Sequence, residues 1–83
     1  MVTVKYFASL RQIAGREEET FDLGAEMTLA KLADIISATQ PKIGAMVKDK
    51  KVAISVNLDI VPLDTIVRDG DEIALLPPFS GGA

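Results

Sequence analysis

One segment with helical periodicity lies between two groups of segments in which apolar and polar residues alternate. This order constrains the fold of the chain more than any other feature of the sequence. The segment is LAKLADIISATQ, in which apolar residues recur at helical spacing over residues 29–36. Thr28 precedes it and suits the N-cap position, and Pro41 follows it where a helix is expected to end. The pattern predicts a helix that packs one face on a sheet.

Alternation with a period of two predicts the strands. In the opening VTVKYFA, Val2, Val4 and Tyr6 fall on one face. Further strands are predicted at EETFDL, at VAISV, at the short return segment LDIV and in RDGDEIALL, which two prolines follow. LRQIAGR is interpreted as a turn in which Gly15 supplies an unusual backbone angle, and PKIGAMV as a short second helix.

Two antiparallel pairs of strands with a helix across one face make an α+β roll. The predicted fold is therefore the β-grasp, or ubiquitin-like, fold, with a mixed sheet of about five strands and one main helix. A chain of 83 residues is expected to be one domain. We expect the β-grasp domain to span residues 1–76 and an extended, flexible C-terminal tail to span residues 77–83.

Composition excludes several classes of function. The chain has no cysteine and no histidine, so it has no disulfide, no thiol nucleophile and none of the commonest transition-metal ligands. The net charge of -3 and the lack of a basic stripe argue against a nucleic-acid partner. The opening residues alternate instead of forming an apolar run, so we expect a cytoplasmic protein without membrane association. No bound cofactor or metal is expected.

The same alternation places some apolar residues on the face opposite the predicted core. Phe7 and Leu76 have the outward parity in the first and last strands. Ile60 and Val61 point in opposite directions, so one of them also faces outward. Three apolar residues on one face predict a partner-binding surface, which Phe79 extends beyond the last strand.

The chain ends in PPFSGGA. Pro77 and Pro78 stop the last strand, because proline cannot donate to a ladder and favours polyproline geometry. Ser80, Gly81 and Gly82 carry little bulk, and the segment that starts at the prolines can reach about 20 Å. The tail is predicted to enter a narrow cleft of another protein, where a pocket can close around the glycine backbone. A frayed terminus is the alternative.

Three motifs carry a resemblance to a known family. FASLR is similar to that family's FAxxR segment, SVN to its AVN, and DGDEIALLPPFSGG to its DGDEVAxxPPxxGG ending. The family is MoaD, the small sulfur-carrying subunit of molybdopterin synthase, and the resemblance covers essentially the whole chain. The ThiS carriers, the ubiquitin-related modifiers and the tRNA-thiolation carriers share the fold and the terminal glycines. The paired prolines favour MoaD over ThiS.

The resemblance implies a carrier that is not an enzyme on its own. A MoeB-like, E1-like adenylating enzyme would use ATP to activate the carboxylate of Gly82, which Gly81 precedes, and a sulfur donor would then convert it to a thiocarboxylate. The tail would enter a MoaE-like large subunit, where the sulfur passes to a pyranopterin precursor of the molybdenum cofactor. The implied interface of this hetero-oligomer comprises Phe7, Arg11, Ile60, Leu76, Pro77, Pro78, Phe79 and Ser80.

Ala83 departs from the family pattern, whose functional form ends at the second glycine. One extra residue moves the carboxylate by about 3.5 Å, whereas reacting atoms must lie within about 3–3.5 Å in good alignment. Three explanations remain open: a protease trims Ala83, the residue was added for expression, or the chain is a paralogue that carries no sulfur. The alternative functions are a ThiS-like or tRNA-thiolation carrier, a ubiquitin-like protein modifier, and a β-grasp binding module with an inert tail.

Overall fold

The strands and helices lie in the order that the pattern predicts, with additions that the pattern does not reveal. The computed structural model describes residues 1–77. The helices are α1 (Ser9–Ala14), α2 (Leu29–Thr39) and α3 (Pro41–Lys48). The strands are β1 (Val2–Tyr6), β2 (Glu18–Phe21), β3 (Met27–Thr28), β4 (Ala53–Val56), β5 (Asp59–Ile60), β6 (Ile66–Val67) and β7 (Glu72–Leu76).

Five of the strands form the main sheet in the order β2-β1-β7-β4-β5. At its centre β1 and β7 run parallel, whereas β1–β2, β4–β5 and β4–β7 are antiparallel pairs. Two antiparallel pairs, joined through a parallel centre and covered by helices on one face, constitute the β-grasp arrangement. The predicted fold class is thus confirmed, including the mixed sheet of five strands.

The residues predicted to face the main helix form the core. Val2, Val4 and Tyr6 of β1 are buried, as are Ile73 and Leu75 of β7. Burial of this apolar surface is the main force that holds the domain together. The helices contribute Leu10, Leu29, Leu32, Ala33, Ile36, Ile43 and Val47 to the same cluster. The opposite face of the sheet has no helical cover in the described part of the chain.

The main helix begins at the predicted cap, and a second helix packs closely against it. The Lys31 backbone N–H donates to Thr28 Oγ1 at 3.2 Å, which satisfies one of the free donors of the first turn. Gly44 of α3 lies against Ser37 of α2: a Cβ at position 44 would stand 2.7 Å from the Cβ and 2.9 Å from the Cα of Ser37. The two helices can approach this closely only because position 44 is a glycine.

Helix α1 occupies part of the segment interpreted as a turn, so that interpretation is wrong. Ala8, at the N-cap, has φ 52° and makes no side-chain capping bond, so the usual start signal is missing from the sequence. Packing of the fully buried Leu10 specifies this short helix instead. Gly15 ends it with φ 77° and donates its N–H to the Arg11 carbonyl at 2.9 Å, in agreement with the unusual angle predicted there.

A small second sheet, formed by β3 and β6, is also absent from the prediction. Its strands are antiparallel and have two residues each, too few to produce a visible alternation. The start of α2 is tied to the same region, because the Leu29 N–H donates to the Thr65 carbonyl at 2.9 Å and the Ala30 N–H to the Leu63 carbonyl at 3.0 Å. These bonds fix the helix relative to the segment that leads into β7.

Candidate partner interface

One row of cross-strand neighbours defines the sheet face that the helices leave open. Lys5 of β1 is paired with Ala74 of β7, Ala74 with Ser55 of β4, and Ser55 with Ile60 of β5. These positions alternate with the core residues of the same strands, so they lie on the opposite side of the sheet. We call this side the outer face. The small side chains of Ala74 and Ser55 keep its centre flat.

Phe7 and Leu76 lie side by side at one end of the outer face. Phe7 follows Tyr6, whose register partner is Leu75, and its N–H donates to the Leu75 carbonyl at 3.3 Å. Its exposed fraction is 36%, and Leu76 is half-buried beside Ala53. Both residues are therefore outside the core, as their parity predicts.

Arg11 of α1 lies next to Phe7. The two side chains line one depression of about 200 Å³ together with Lys5, Glu17 and Glu18. The Arg11 Nη1 atom is 3.9 Å from Glu17 Oε1, and both side chains are exposed, so this ion pair restrains the guanidinium only weakly. The structure therefore brings together the aromatic and the cationic residue that were predicted to contact a partner.

Ile60 lies at the far end of the outer face, on the edge strand β5. It is 64% exposed, whereas Val61 is half-buried, so Ile60 is the outward residue of this pair. It also lines an open groove of about 390 Å³, to which Val52 and Leu63 contribute. Three strand spacings, or about 14 Å, separate the β5 edge from β1. The predicted contact residues thus span the outer face instead of forming one cluster.

The last strand ends just before the segment that we expect to form the tail. Strand β7 ends at Leu76, and Pro77 follows it as a half-buried residue. The remaining predicted site residues lie outside the described residues and stay predictions: Pro78, Phe79, Ser80, Gly81 and Gly82, followed by Ala83.

Sequence reasoning missed several residues of the outer face. Lys5 has the same parity as Phe7, so the alternation in β1 could have placed it on the outer face. Its Nζ atom is 3.3 Å from Glu72 Oε1. The flat centre at Ala74 and Ser55 depends on the register between β7 and β4, which no local pattern reveals. Leu58 lies in the turn between β4 and β5, where side chains do not alternate between two faces, so alternation could not identify it as an exposed apolar residue.

A part-buried hydrogen bond lies at the end of β1 that precedes Phe7. The Tyr6 hydroxyl donates to Glu19 Oε1 at 2.7 Å, and Arg16 Nη1 lies 3.5 Å from the other carboxylate oxygen. The Glu19 side chain is only 10% exposed, although it belongs to a run of three glutamates in the sequence. Burial raises the pKa of Tyr6 well above its usual value, and the hydrogen bond to Glu19 and its negative charge raise it further.

The raised pKa of Tyr6 predicts a loss of stability in alkali. Below the usual tyrosine pKa of about 10 both folded and unfolded chains hold the phenolic proton. Above it the unfolded chain releases the proton first, so the free energy of unfolding falls as pH rises through the folded pKa. Tyr6→Phe should cost about 1 kcal/mol at pH 8, and this deficit should shrink above about pH 10. Urea denaturation of both proteins from pH 8 to 12 measures the difference.

Tyr6 is the only tyrosine of the chain, so phenolate absorbance reads its titration directly. Lysine deprotonation affects both proteins equally and cancels in the comparison. A folded protein whose phenolate appears near pH 10 would contradict the assignment.

The outer face offers the kind of surface that protein partners use. Its apolar residues lie at both ends of a flat centre, and the ion pairs that Lys5 and Arg11 make stand at one side, so apolar and charged groups both reach this surface, as they do in protein interfaces. Within residues 1–77 no three acidic side chains come together in a way that could hold a metal ion. No helix in that part of the chain is long and apolar enough to cross a membrane.

A β-grasp domain with exposed apolar residues on its outer face places the chain in the class of ubiquitin-like proteins. Comparison with known proteins narrows this class, because the model of the ThiS family matches residues 4–82. The chain belongs to the ThiS family, and the resemblance drawn from its motifs is confirmed.

Three proteins of known name match this chain over more than 90% of its length. A molybdopterin synthase sulfur carrier subunit from Chlamydomonas reinhardtii is 37% identical over 82 residues, which cover 98% of either chain. The crystal structure of SAMP1 from Haloferax volcanii matches with a TM-score of 0.83 at 28% identity over 98% of both chains. The complex of subunits 1 and 2 of molybdopterin-converting factor from Helicobacter pylori 26695 contains a chain that matches with a TM-score of 0.62 at 29% identity, over 93% of this chain and 92% of that one.

Proposed function

We infer that this chain is the sulfur carrier subunit of molybdopterin synthase. The observation that carries the inference is the end-to-end match to a protein of that name at 37% identity. The β-grasp fold and the apolar outer face agree with a small subunit that works by docking on a larger one. The chain is the carrier, and catalysis belongs to the proteins that bind it.

The proposed chemistry takes place at the carboxylate of Gly82. A carboxylate is a poor electrophile, so a MoeB-like activating enzyme first joins it to the α-phosphate of ATP and releases pyrophosphate. A sulfur nucleophile at the oxidation level of sulfide then attacks the acyl carbon, AMP leaves with its electron pair, and a thiocarboxylate remains. The sulfur of this group attacks a carbon of a pyranopterin precursor, from which an oxygen group leaves with its electron pair, and water then cleaves the acyl–sulfur bond, so the sulfur stays on the pterin and the carboxylate is restored. ATP is a substrate of the activating enzyme, and we propose no resident cofactor in this chain.

The proposed partner of the outer face is a MoaE-like large subunit, with which the chain forms a hetero-oligomer in the cytoplasm. The outer face spans about 14 Å, so one partner surface can contact both of its ends at once. The domain of residues 1–76 would dock while the tail of residues 77–83 reaches the reaction centre. The contact residues we propose are Phe7, Arg11, Ile60, Leu76 and Pro77 on the domain, and Pro78, Phe79 and Ser80 on the tail.

Phe7→Ala should weaken binding of the large subunit by about tenfold or more, because truncation of a buried aromatic anchor typically costs about 2 kcal/mol and about 1.4 kcal/mol is tenfold in affinity. The domain should stay folded, since Phe7 is outside the core. Isothermal titration calorimetry measures the affinity, and thermal unfolding monitors the fold.

Ile66→Ala is a suitable control for the Phe7 variant. Ile66 is also apolar and 49% exposed, but it lies on β6 in the small sheet, away from the outer face. Its truncation should leave the affinity unchanged. If Phe7→Ala binds normally, the outer face is not the interface.

A protein modifier is the second candidate function. The name SAMP1 stands for small archaeal modifier protein 1. SAMP1 from Haloferax volcanii matches this chain with a higher TM-score than the chain from the Helicobacter pylori complex does. In that role Gly82 would form an isopeptide bond with a lysine of a target protein, with AMP again the leaving group. Mass spectrometry of cell extracts separates the two: conjugates on lysines support the modifier, and a C-terminal thiocarboxylate without conjugates supports the carrier.

A further inference from the structure

The turn between β4 and β5 holds two residues in the left-handed region. Asn57 has φ 50° and Leu58 has φ 76°, and the flanking residues Val56 and Asp59 are paired across the hairpin. A two-residue hairpin with both central residues at positive φ is a type I′ turn, in which Asn followed by Gly is the favoured sequence. Leucine at the second position carries the strain that its Cβ causes in this conformation.

Asn57 fixes the turn in this geometry. Its backbone N–H donates to the Glu72 carbonyl at 2.8 Å, and its side-chain Oδ1 accepts from the Glu72 N–H at 3.0 Å. Its Nδ2 donates to Asp71 Oδ1 at 3.0 Å. Because these three bonds tie the turn to the start of β7, Leu58 has little freedom to relax into a less strained conformation.

Nothing in the described part of the chain offsets the strain at Leu58. Its exposed fraction is 86%, higher than that of any other large apolar residue in residues 1–77. The side chain therefore gains no packing while its apolar surface stays in water. A glycine or an asparagine would fit the same turn with less strain, so the role of this leucine lies outside the isolated domain.

Leu58 continues the apolar surface of the proposed interface. It precedes the exposed Ile60 by two residues at the open edge of the sheet. The exposed carboxylate of Asp59 lies between them, and it makes no ion pair with another described residue. Within residues 1–77 the hairpin tip thus presents two exposed apolar side chains and, adjacent to them in the sequence, one carboxylate without an ion pair.

We propose that Leu58 is an anchor residue for the large subunit of molybdopterin synthase. The tip of the β4–β5 hairpin enters an apolar pocket of that subunit, and a basic side chain at the rim of the pocket pairs with Asp59. This inference rests on the proposed function and extends the interface past Ile60 to the edge of the sheet.

Substitution at Leu58 should weaken binding without lowering the stability of the free domain. Leu58→Gly and Leu58→Asn should weaken the affinity for the large subunit by about 10- to 100-fold, since each removes a buried leucine side chain from the complex. The same substitutions should leave the Tm of the free domain unchanged or raise it by up to about 4–8 °C, because they relieve the backbone strain. Leu58→Met is the matched control, and its affinity should stay near that of the unchanged chain. Asp59→Lys should weaken binding as well.

The outcomes separate this inference from the function on which it rests. If the unchanged chain does not bind the large subunit, the proposed function is wrong. If Ile60→Ala weakens binding while Leu58→Gly does not, the function stands and the role of Leu58 is refuted. If Leu58→Gly lowers both affinity and Tm, the leucine supports the fold and the inference is also refuted.

Discussion

A chain that ends at Gly82 should acquire sulfur at its C-terminus, and a chain that keeps Ala83 should not. Displacement of a reacting carboxylate by about 1 Å can lower a rate by about 100-fold, and one added residue displaces it by about 3.5 Å. We therefore expect adenylation of the longer chain to be at least about 100-fold slower. Both chains can be incubated with a MoeB-like activating enzyme, ATP and sulfide, and intact-mass spectrometry then detects the exchange of one oxygen for sulfur.

The Tm and the binding to the large subunit serve as controls for the comparison of the two chains. Ala83 follows Leu76, the last residue of β7, by seven residues in the sequence, so both chains are expected to have the same Tm. Equal loading of the two chains would refute the geometric reason given for the effect of Ala83. If neither chain is loaded although both bind the large subunit, the sulfur chemistry is wrong and the binding function survives. The mass of the protein taken from its own cells then tells whether Ala83 is removed there.

Gly44→Ala should destabilise the domain by about 1–2 kcal/mol. The added Cβ would meet both the Cβ and the Cα of Ser37, and a backbone atom cannot move away by a change of rotamer. Overpacking of this kind costs about 1–3 kcal/mol, and the better helix propensity of alanine offsets up to about 1 kcal/mol of it. The helices α2 and α3 would have to separate. Urea denaturation of the variant and the unchanged chain measures the cost.

A double-mutant cycle with Ser37→Gly tests this reason. Removal of the Ser37 side chain takes away one obstacle, so the cost of Gly44→Ala should be smaller in that background. Ala45 is the exposed neighbour in the same helix, and Ala45→Ser should change stability by no more than about 0.5 kcal/mol. If the two single costs simply add, the contact does not limit the helix packing.

The parts of the fold that follow from local periodicity could be predicted from the sequence. Alternation identified the buried faces of β1 and β7, because one side of each strand packs on the helices and the other does not. Thr28 marked the start of α2, because its hydroxyl is chemically suited to the cap. Helix α1 was missed because it has no cap at Ala8 and depends on the tertiary packing of Leu10. The spacing of Leu10, Ile13 and Ala14 was its only local signal.

The candidate site could be predicted only where parity decides it. Phe7 and Leu76 were found in this way, and Ile60 was found as one of two possibilities. The flat centre of the outer face depends on which residues of β4 stand beside β7, and register is a property of the assembled sheet. The strain at Leu58 arises from the turn type, which Asn57 and the two-residue length of the loop determine together. A leucine in the sequence gives no indication of such a turn.

The central place of β7 has a consequence for how the protein is made. The strand lies between β1 and β4, so the halves of the sheet cannot meet until the last segment of the domain has been synthesised. Translation proceeds at about 5–20 residues per second, so earlier parts of the chain wait for several seconds without their central strand. A nascent chain therefore cannot present a finished outer face to a partner before Leu76 has been added. Recruitment through the outer face is therefore open only to chains that already contain the last strand.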